Sequence, residues 1–459
     1  MATSPFKTLA LPLTVSAANR GDVTTFDAKL VNGYWEPQED QTVFVVKRPG
    51  MVKTATLSGM GYGLFTWNND VYSIFGTSLY KNAVLIGTVD TTGGQYTWSS
   101  CLGATHKLFF HNASHAYTYD STNGLVQVTN SAYPGTTVPG AVYLDGTMYV
   151  MDGSANIYGS NINDPQTWSS LNMITAQIEP LGGIGLAKQL VYVIAFKPTS
   201  VEVFYDQANP TGSPLGTVQG AKVNYGCRHA GSIQDIDGTL CWISTNRSGS
   251  VGVMVMEGLK AQQIDTPAIA RLLQDLDYTT VYSWQARVGG HRFYVVTVKN
   301  GNLTLAYDLV TQRWSQWTDT NGNYVPIVAS TYNSAQQVLL QHETDGDIYQ
   351  FVNTVYQDDG APIQVDLYTP PWDADTRVGK FASTMYITAD QTAGSMLTVS
   401  TSDDDYQTWT QPRYVDLGQP NMTLDNMATF SRRAHHFRHV ANTPFRLKRV
   451  EINVELCSI

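Results

Sequence analysis

The 459-residue chain keeps returning to one pattern, two apolar alternating runs split by a polar turn. "QLVYVIAFKPTSVEVFYDQANPTGSPL", Gln189 to Leu215, is one such unit, closing in Pro and Gly. Others run from Asp70 ("DVYSIFGTSLYKNAVLIGTV"), from His106 ("HKLFFHNASHAYTYDSTNGLVQVT") and from Gly140 to Asn161. Further units are Gly231 to Gly258, with Asp237-Gly238 as turn, Arg292 to Thr318, with Asn300-Gly301, and a weaker one from Gln336 to Val352, with Asp345-Gly346. Asp-Gly and Asn-Gly between alternating strands mark tight hairpins. A small antiparallel unit cannot bury its apolar face alone; stacking such units in a ring buries it and protects the edges. The expected fold class is all-β: a six- or seven-bladed β-propeller with a small additional β-sandwich domain.

Where the pattern breaks, the organisation shows. "TPAIARLLQDLD", Thr266 to Asp277, places Ile269, Leu272, Leu273 and Leu276 on one face and reads as a short helix capped by Thr266, covering an end of the propeller. The pair Pro370-Pro371 marks a boundary, after which a second set of strands begins. The division expected is 51–372 for the propeller and 373–459 for the sandwich, with the strands of residues 1–50 joining either body.

Composition narrows the function. A net charge of −10 argues against a general nucleic-acid binder, which needs an excess of Lys and Arg for phosphate contacts. The first residues lack the basic and apolar regions of an export signal, and no later run reaches the ~20 apolar residues of a membrane helix, so a soluble protein is expected. Cys101, Cys227, Cys241 and Cys457 lie far apart without metal spacing, which fits a reducing compartment; the rival is a secreted protein with a Cys227–Cys241 disulfide.

No catalytic or metal-binding set assembles, and no cofactor is expected. Ser402, Asp404, Thr408 and Trp409 in "STSDDDYQTW" match the Asp-box turn of sialidase-like propellers, with Tyr406 in place of glycine. In that turn Ser and Asp bond nearby backbone N–H groups, so it holds a hairpin and does no chemistry. A sialidase would add an arginine cluster and a Tyr/Glu nucleophile pair. Glu202 and Glu343 could face a propeller channel, yet nothing places arginines beside them. His111 and His115 lack a third ligand, the Asp/Gly turns lack a calcium loop's ligands, and "GGIGLAKQ" from Gly182 lacks the P-loop ending.

The most unusual local charge is "SRRAHHFRHVANTPFRLKR", in which Arg432, Arg433, Arg438, Arg446, Lys448 and Arg449 occur without an acidic residue. With His435, His436 and His439 they form a candidate basic, protonatable contact surface. It reads as a solvated face, a lock between subunits, or a contact with an acidic partner or DNA phosphates.

The order of several phrases resembles the tail hub, or nozzle, proteins of short-tailed bacteriophages, also called packaged DNA stabilisation proteins. The phrases are "DAKLVNGYWEP", "VVKRPGM", "EPLGGIGLAKQLVYVIAFKPTSVEVFYD", "NYGCRHAGSIQDIDGTLCWIS", "MVMEGLKAQQIDTPAIARLL" and the closing "RLKRVEINVEL". The resemblance implies a structural virion protein of the short tail, assembled in the host bacterial cytoplasm, and no enzyme. It implies a homohexameric ring beneath the portal adaptor (the head-to-tail connector) that retains packaged DNA, forms its ejection channel and carries needle, spike or fibre proteins. An acidic channel wall would let DNA slide, leaving the Arg432 to Arg449 cluster for a protein junction. The alternative is a carbohydrate-active, sialidase-like or glycan-binding propeller, against which the scarce glutamates count.

Overall fold

The computed structural model describes residues 6–13, 28–38, 42–103 and 105–457. Hairpins with short turns place each strand beside the one before it, so the chain builds its antiparallel units in sequence order. Blade 1 spans 61–88, blade 2 97–127, blade 3 142–175, blade 4 185–217, blade 5 226–263, blade 6 281–317 and blade 7 327–352. Six blades are sheets of their own, and blade 6 is the first four strands of a nine-stranded sheet. The all-β propeller with additional sheets expected from the sequence is therefore what the chain forms.

Blade 7 supplies only three strands itself; its outer strand is Gly50–Thr56, paired from Asp347↔Thr56 to Val352↔Gly50. Its inner strand Ile327–Tyr332 lies beside Gly61–Trp67 of blade 1, where the Thr331 hydroxyl donates to Thr66 at 2.9 Å. The ring is thus closed by a strand that precedes it in sequence.

Large side chains fill the wedges between blades. Phe196 of blade 4 meets Trp242 of blade 5 edge-on at 5.2 Å, and Trp284, Trp317 and Phe351 cluster between blades 6 and 7. Close backbone approach needs glycine where blades 3 and 4 meet: Gly140 has φ +113°, and a Cβ there would lie 1.8 Å from the Leu186 oxygen. The Asp237-Gly238 turn has φ of +51° and +85°, as a tight hairpin requires. At Asn300-Gly301 the turn is longer than expected: Lys299–Gly301 forms a 3-10 turn, and Asn302 takes the left-handed conformation at φ 47°.

The helix is Pro267–Gln274, with Thr266 Oγ1 accepting from the Ile269 N–H at 3.4 Å. It ends three residues before Asp277 and buries Ala268, Ile269 and Leu273 against the core shared by blades 5 and 6.

The second body is a sandwich woven from both ends of the chain. One sheet runs Gly33–Pro37, Val43–Lys47, Arg446–Leu456, Lys380–Ala389, Met422–Asp425, with Lys7–Ala10 and Thr429–Phe430 at its flanks. The facing sheet is Lys29–Val31, Val365–Tyr368, Ala434–His439, Met396–Ser402, Arg413–Asp416, the outer part of the nine-stranded sheet. Leu30, Trp35, Val45, Leu367, Met385, Phe437, Leu447 and Ile452 fill the space between them. The strand Val365–Tyr368 precedes the 372/373 division expected from the sequence, and the N-terminal strands serve both bodies. Propeller and sandwich share a sheet through the parallel pair Val31↔Gln316.

All four cysteines are free. The alternative Cys227–Cys241 disulfide is not formed: Cys227 lies opposite Ser244 and Cys241 opposite Gln234, so the two sulfurs occupy different rungs of blade 5.

Candidate partner interface

The basic stretch folds as two strands on opposite sheets, so its charges form no single patch. Along Ala434–His439 the strand alternation turns His435, Phe437 and His439 into the sandwich core and leaves His436 and Arg438 outside. Burial, followed by the charge of Arg433, lowers His435 to about 3, and burial with the charge of Lys47 does the same for His439. Both are neutral at pH 7, which corrects the expectation of a protonatable surface. Sequence inspection missed this although the alternation with Phe437 carried the signal.

Outside, His436 and Arg438 both bond Asp366, at 2.6 and 2.7 Å. Burial pushes the Asp366 carboxyl up, but those two bonds outweigh it and hold the group below its ordinary range. Arg432 pairs with Asp405. Arg433, 4% exposed, grips Asp403 at 2.6 and 2.7 Å, donates to the carbonyls of Met427 and Thr429, and lies 4.5 Å over the Phe430 ring. On the other sheet, Arg446 bonds Asp390 at 2.7 Å and Glu36 at 3.2 Å, Lys448 reaches Asp390 at 2.5 Å, and Arg449 reaches Glu451 at 2.8 Å. A stretch without internal acids is thus neutralised mostly by acids that the fold brings from elsewhere, with Glu451, two residues past Arg449 on the same strand, as the local exception. Arg449, at 60% side-chain exposure, is the most open of these cations; Arg438 and Arg446 are each 39% exposed.

The Asp-box-like residues come together as a turn. Ser402 Oγ donates to Asp404 at 2.8 Å and accepts from the Tyr406 N–H at 2.9 Å, while Asp404 accepts from the Thr408 N–H at 2.9 Å and its hydroxyl at 2.5 Å. These bonds, Thr408 first, lower Asp404 to about 2. Tyr406 stands where the motif has glycine and has φ 69°, a strained value for a bulky residue. Its ring is buried, its hydroxyl donates to the Thr369 carbonyl at 2.9 Å, and Trp409 packs 5.9 Å away, which holds the strained backbone in place.

The glutamates considered for catalysis are tied down within the propeller. Glu202 is buried against Lys197 at 3.0 Å. Glu343 accepts from Lys299 at 2.5 Å, Tyr282 at 2.9 Å and Tyr324 at 3.0 Å, and among the described residues no arginine is bonded to it. His111 is lowered to about 4 by burial and bonds Thr137 at 2.9 Å and the Gly140 carbonyl at 3.0 Å. Among the described residues, no group of three or more His, Cys, Asp or Glu could hold a metal ion, and no helix is long and apolar enough to cross a membrane. An apolar groove of about 710 Å³ runs between the helix, Leu303, Leu305 and Trp35, and neither the basic stretch nor the Asp-box-like turn lines it.

The turns, ion pairs and inter-blade wedges define a structural β-propeller with a companion sandwich, a scaffold whose polar side chains hold strands together. The chain belongs to the family described as "Bacteriophage P22 Gp10, beta-propeller", whose model matches residues 24–356. This is a family of packaged DNA stabilisation proteins: structural phage virion proteins, components of the tail, and not enzymes. No curated protein matched the chain. Among solved structures, similarity extends to the computationally designed Ika8 protein, at 11% identity and TM-score 0.39 over 66% of this chain and 99% of that one. It also extends to a catalytically inactive virginiamycin B lyase from Staphylococcus aureus with quinupristin, at 8% identity and TM-score 0.39 over 75% of this chain and 98% of that one.

Proposed function

We propose that the protein is the tail hub, or nozzle, of a short-tailed phage: six copies form a ring below the portal adaptor, retain the packaged DNA and line the path of its ejection. The observation that carries this reading is the family match over residues 24–356, which takes in all seven blades. A propeller suits the task because its two loop faces and its rim can each meet a different neighbour while the body stays stiff. The adaptor ring, further copies of the chain and needle, spike or fibre proteins are the neighbours proposed. The protein would assemble in the bacterial cytoplasm and remain in the short tail.

Charge supports the same reading, since a net −10 disfavours tight adhesion of passing DNA. Within the basic set, contact with a neighbour falls to the part-exposed Arg438, Arg446 and Arg449, whose present partners are the buried Asp366 and the half-buried Asp390, Glu36 and Glu451. The two-body division is proposed as propeller and sandwich, with the N-terminal strands shared between them.

The test is deletion of the gene from its virus, followed by electron microscopy and DNA quantitation of purified particles. Heads that fill, lose their DNA and end at a blunt adaptor stump are expected. Complete particles that keep their DNA would overturn the proposal.

A further inference from the structure

Propeller and sandwich meet edge to edge through the single parallel pair Val31↔Gln316, and bodies with so short a shared seam are expected to move against each other unless further contacts fix them. Here the chain passes between sandwich and propeller near residues 47–50 and 352–365 and crosses between the two sandwich sheets at 31–33, and all three segments meet at one buried guanidinium. The Arg48 side chain is 1% exposed, and its N–H groups are all used. Nε donates to Asn32 Oδ1 at 3.1 Å; Nη1 donates to the Pro49 carbonyl and to Asp358 Oδ1, both at 3.1 Å; Nη2 donates to Asp358 Oδ2 at 2.6 Å and to the Thr318 carbonyl at 3.0 Å. Its partners come from the sandwich crossover at Asn32, from its own passage at Pro49, from the passage that carries Asp358 and from Thr318 at the end of blade 6.

Those partners are cross-linked in turn. Asn32, buried and left-handed at φ 54°, accepts from the Thr318 N–H at 2.8 Å and donates to Thr318 Oγ1 at 2.8 Å and to the Gln364 carbonyl at 2.9 Å. Asp358 Oδ1 also accepts from the N–H of Met51, in the strand that closes blade 7, at 3.1 Å. One buried ion pair therefore ties the sandwich to blade 6 and to the closing strand of blade 7. A buried pair of this kind adds little net stability over an apolar substitute but fixes one geometry, because any displacement strands a charge.

We infer that Arg48 welds propeller and sandwich into a single rigid body, so that the sandwich is a fixed arm and not a swinging domain. This stands independently of the tail reading. Planar, forked recognition is what the site requires, and a lysine cannot supply it.

Spin labels on the full chain at Val191→Cys and Tyr414→Cys, exposed positions on propeller and sandwich, read the inter-body distance by pulsed electron resonance once Cys457 is replaced by Ser. A narrow distribution is expected with Arg48 and a broad one with Arg48→Met, accompanied by splitting of one calorimetric transition into two separated by roughly 5 °C or more. Should Arg48→Met fail to fold, Arg48→Lys, which keeps the charge and loses the fork, is expected to broaden the distribution. In separate unlabelled protein, a disulfide between Gln357→Cys and Asn442→Cys, whose native side chains bond at 2.7 Å, is expected to restore one transition to the Arg48→Met chain. A distribution as narrow as the parent's in the folded variant overturns the inference.

Discussion

Propeller and sandwich are both antiparallel, yet they are assembled by opposite rules. Six blades are made from consecutive strands and the seventh borrows only its outer strand, Gly50–Thr56, while apolar faces meet the next blade along the chain, as Phe196 meets Trp242. The sandwich instead pairs the two ends of the chain, Lys7↔Val454 and Val45↔Leu447, and it encloses polar anchors: His435, His439, Lys47 and Arg433 are all nearly or fully buried. Stability in the first is spread over many equivalent wedges. In the second it hangs on a few groups whose charge state matters.

Acid should separate the two most strongly. His435 and His439 are held neutral down to about pH 3 in the fold but take protons near 6.5 when unfolded, so their favourable contribution is intact above about pH 6.5 and lost as pH falls toward 3. The loss is on the order of 5 kcal/mol for each histidine, and so about 10 kcal/mol for the sandwich. The propeller has the same kind of group in His111, lowered to about 4, and burial also lowers His229 and His342, but these three are spread over separate blades. Hydrogen exchange on an acid titration is expected to lose protection first in 380–456, and His435→Phe, which replaces a ring with two unbonded nitrogens, is expected to flatten the dependence.

Trp242→Ala, expected to cost ~3–5 kcal/mol, tests the other side of the contrast. Exchange should rise in blades 4 and 5 and leave sandwich amides at parental rates; uniform loss across both bodies would erase the distinction. Alkali gives a smaller, opposite signal. Burial and the neighbouring Arg48 charge lower Lys47 to about 8, so the unfolded chain binds the extra proton between about pH 8 and 10.4, and stability rises by ~2–3 kcal/mol across that window. Lys47→Met should abolish the rise in pH-dependent urea titrations. Tyr406→Phe removes the bond to the Thr369 carbonyl and should cost ~1 kcal/mol, read as a lower urea midpoint. Arg449→Ala, at an exposed pair, should change the urea midpoint by less than ~0.5 kcal/mol equivalent.

The same contrast explains what could be read from the sequence. Blades were legible because their signals are local: alternation, then Asp-Gly or Asn-Gly, then alternation again. The helix and its Thr266 cap were legible for the same reason. The sandwich was legible as strands but not as a pairing, since nothing near Val45 names Leu447 as its neighbour. The basic stretch misled because neutralisation is a three-dimensional fact: Asp366, Asp390, Asp403 and Glu36 sit on other strands, and only the fold brings them to Arg438, Arg446 and Arg433. In the Asp-box-like turn the bonds among Ser402, Asp404, Tyr406 and Thr408 lie within a few residues, the range over which spacing in a sequence carries a signal, whereas the Tyr406 hydroxyl bond to Thr369 lies beyond it.

The closing strand Gly50–Thr56 and the sandwich strands before it leave the ribosome early, yet their partners Asp347–Val352 and Arg446–Leu456 come hundreds of residues later. At ordinary synthesis speeds the Lys7–Ala10 strand waits roughly 20–90 s for its partner. Blades can stack during translation, but the ring must stay unlatched until blade 7 has been made, and the sandwich until synthesis is nearly over. A nascent chain stalled before blade 7 would therefore present an open arc of finished blades with sticky ends, the form most exposed to chaperones and to mispairing with a neighbouring chain.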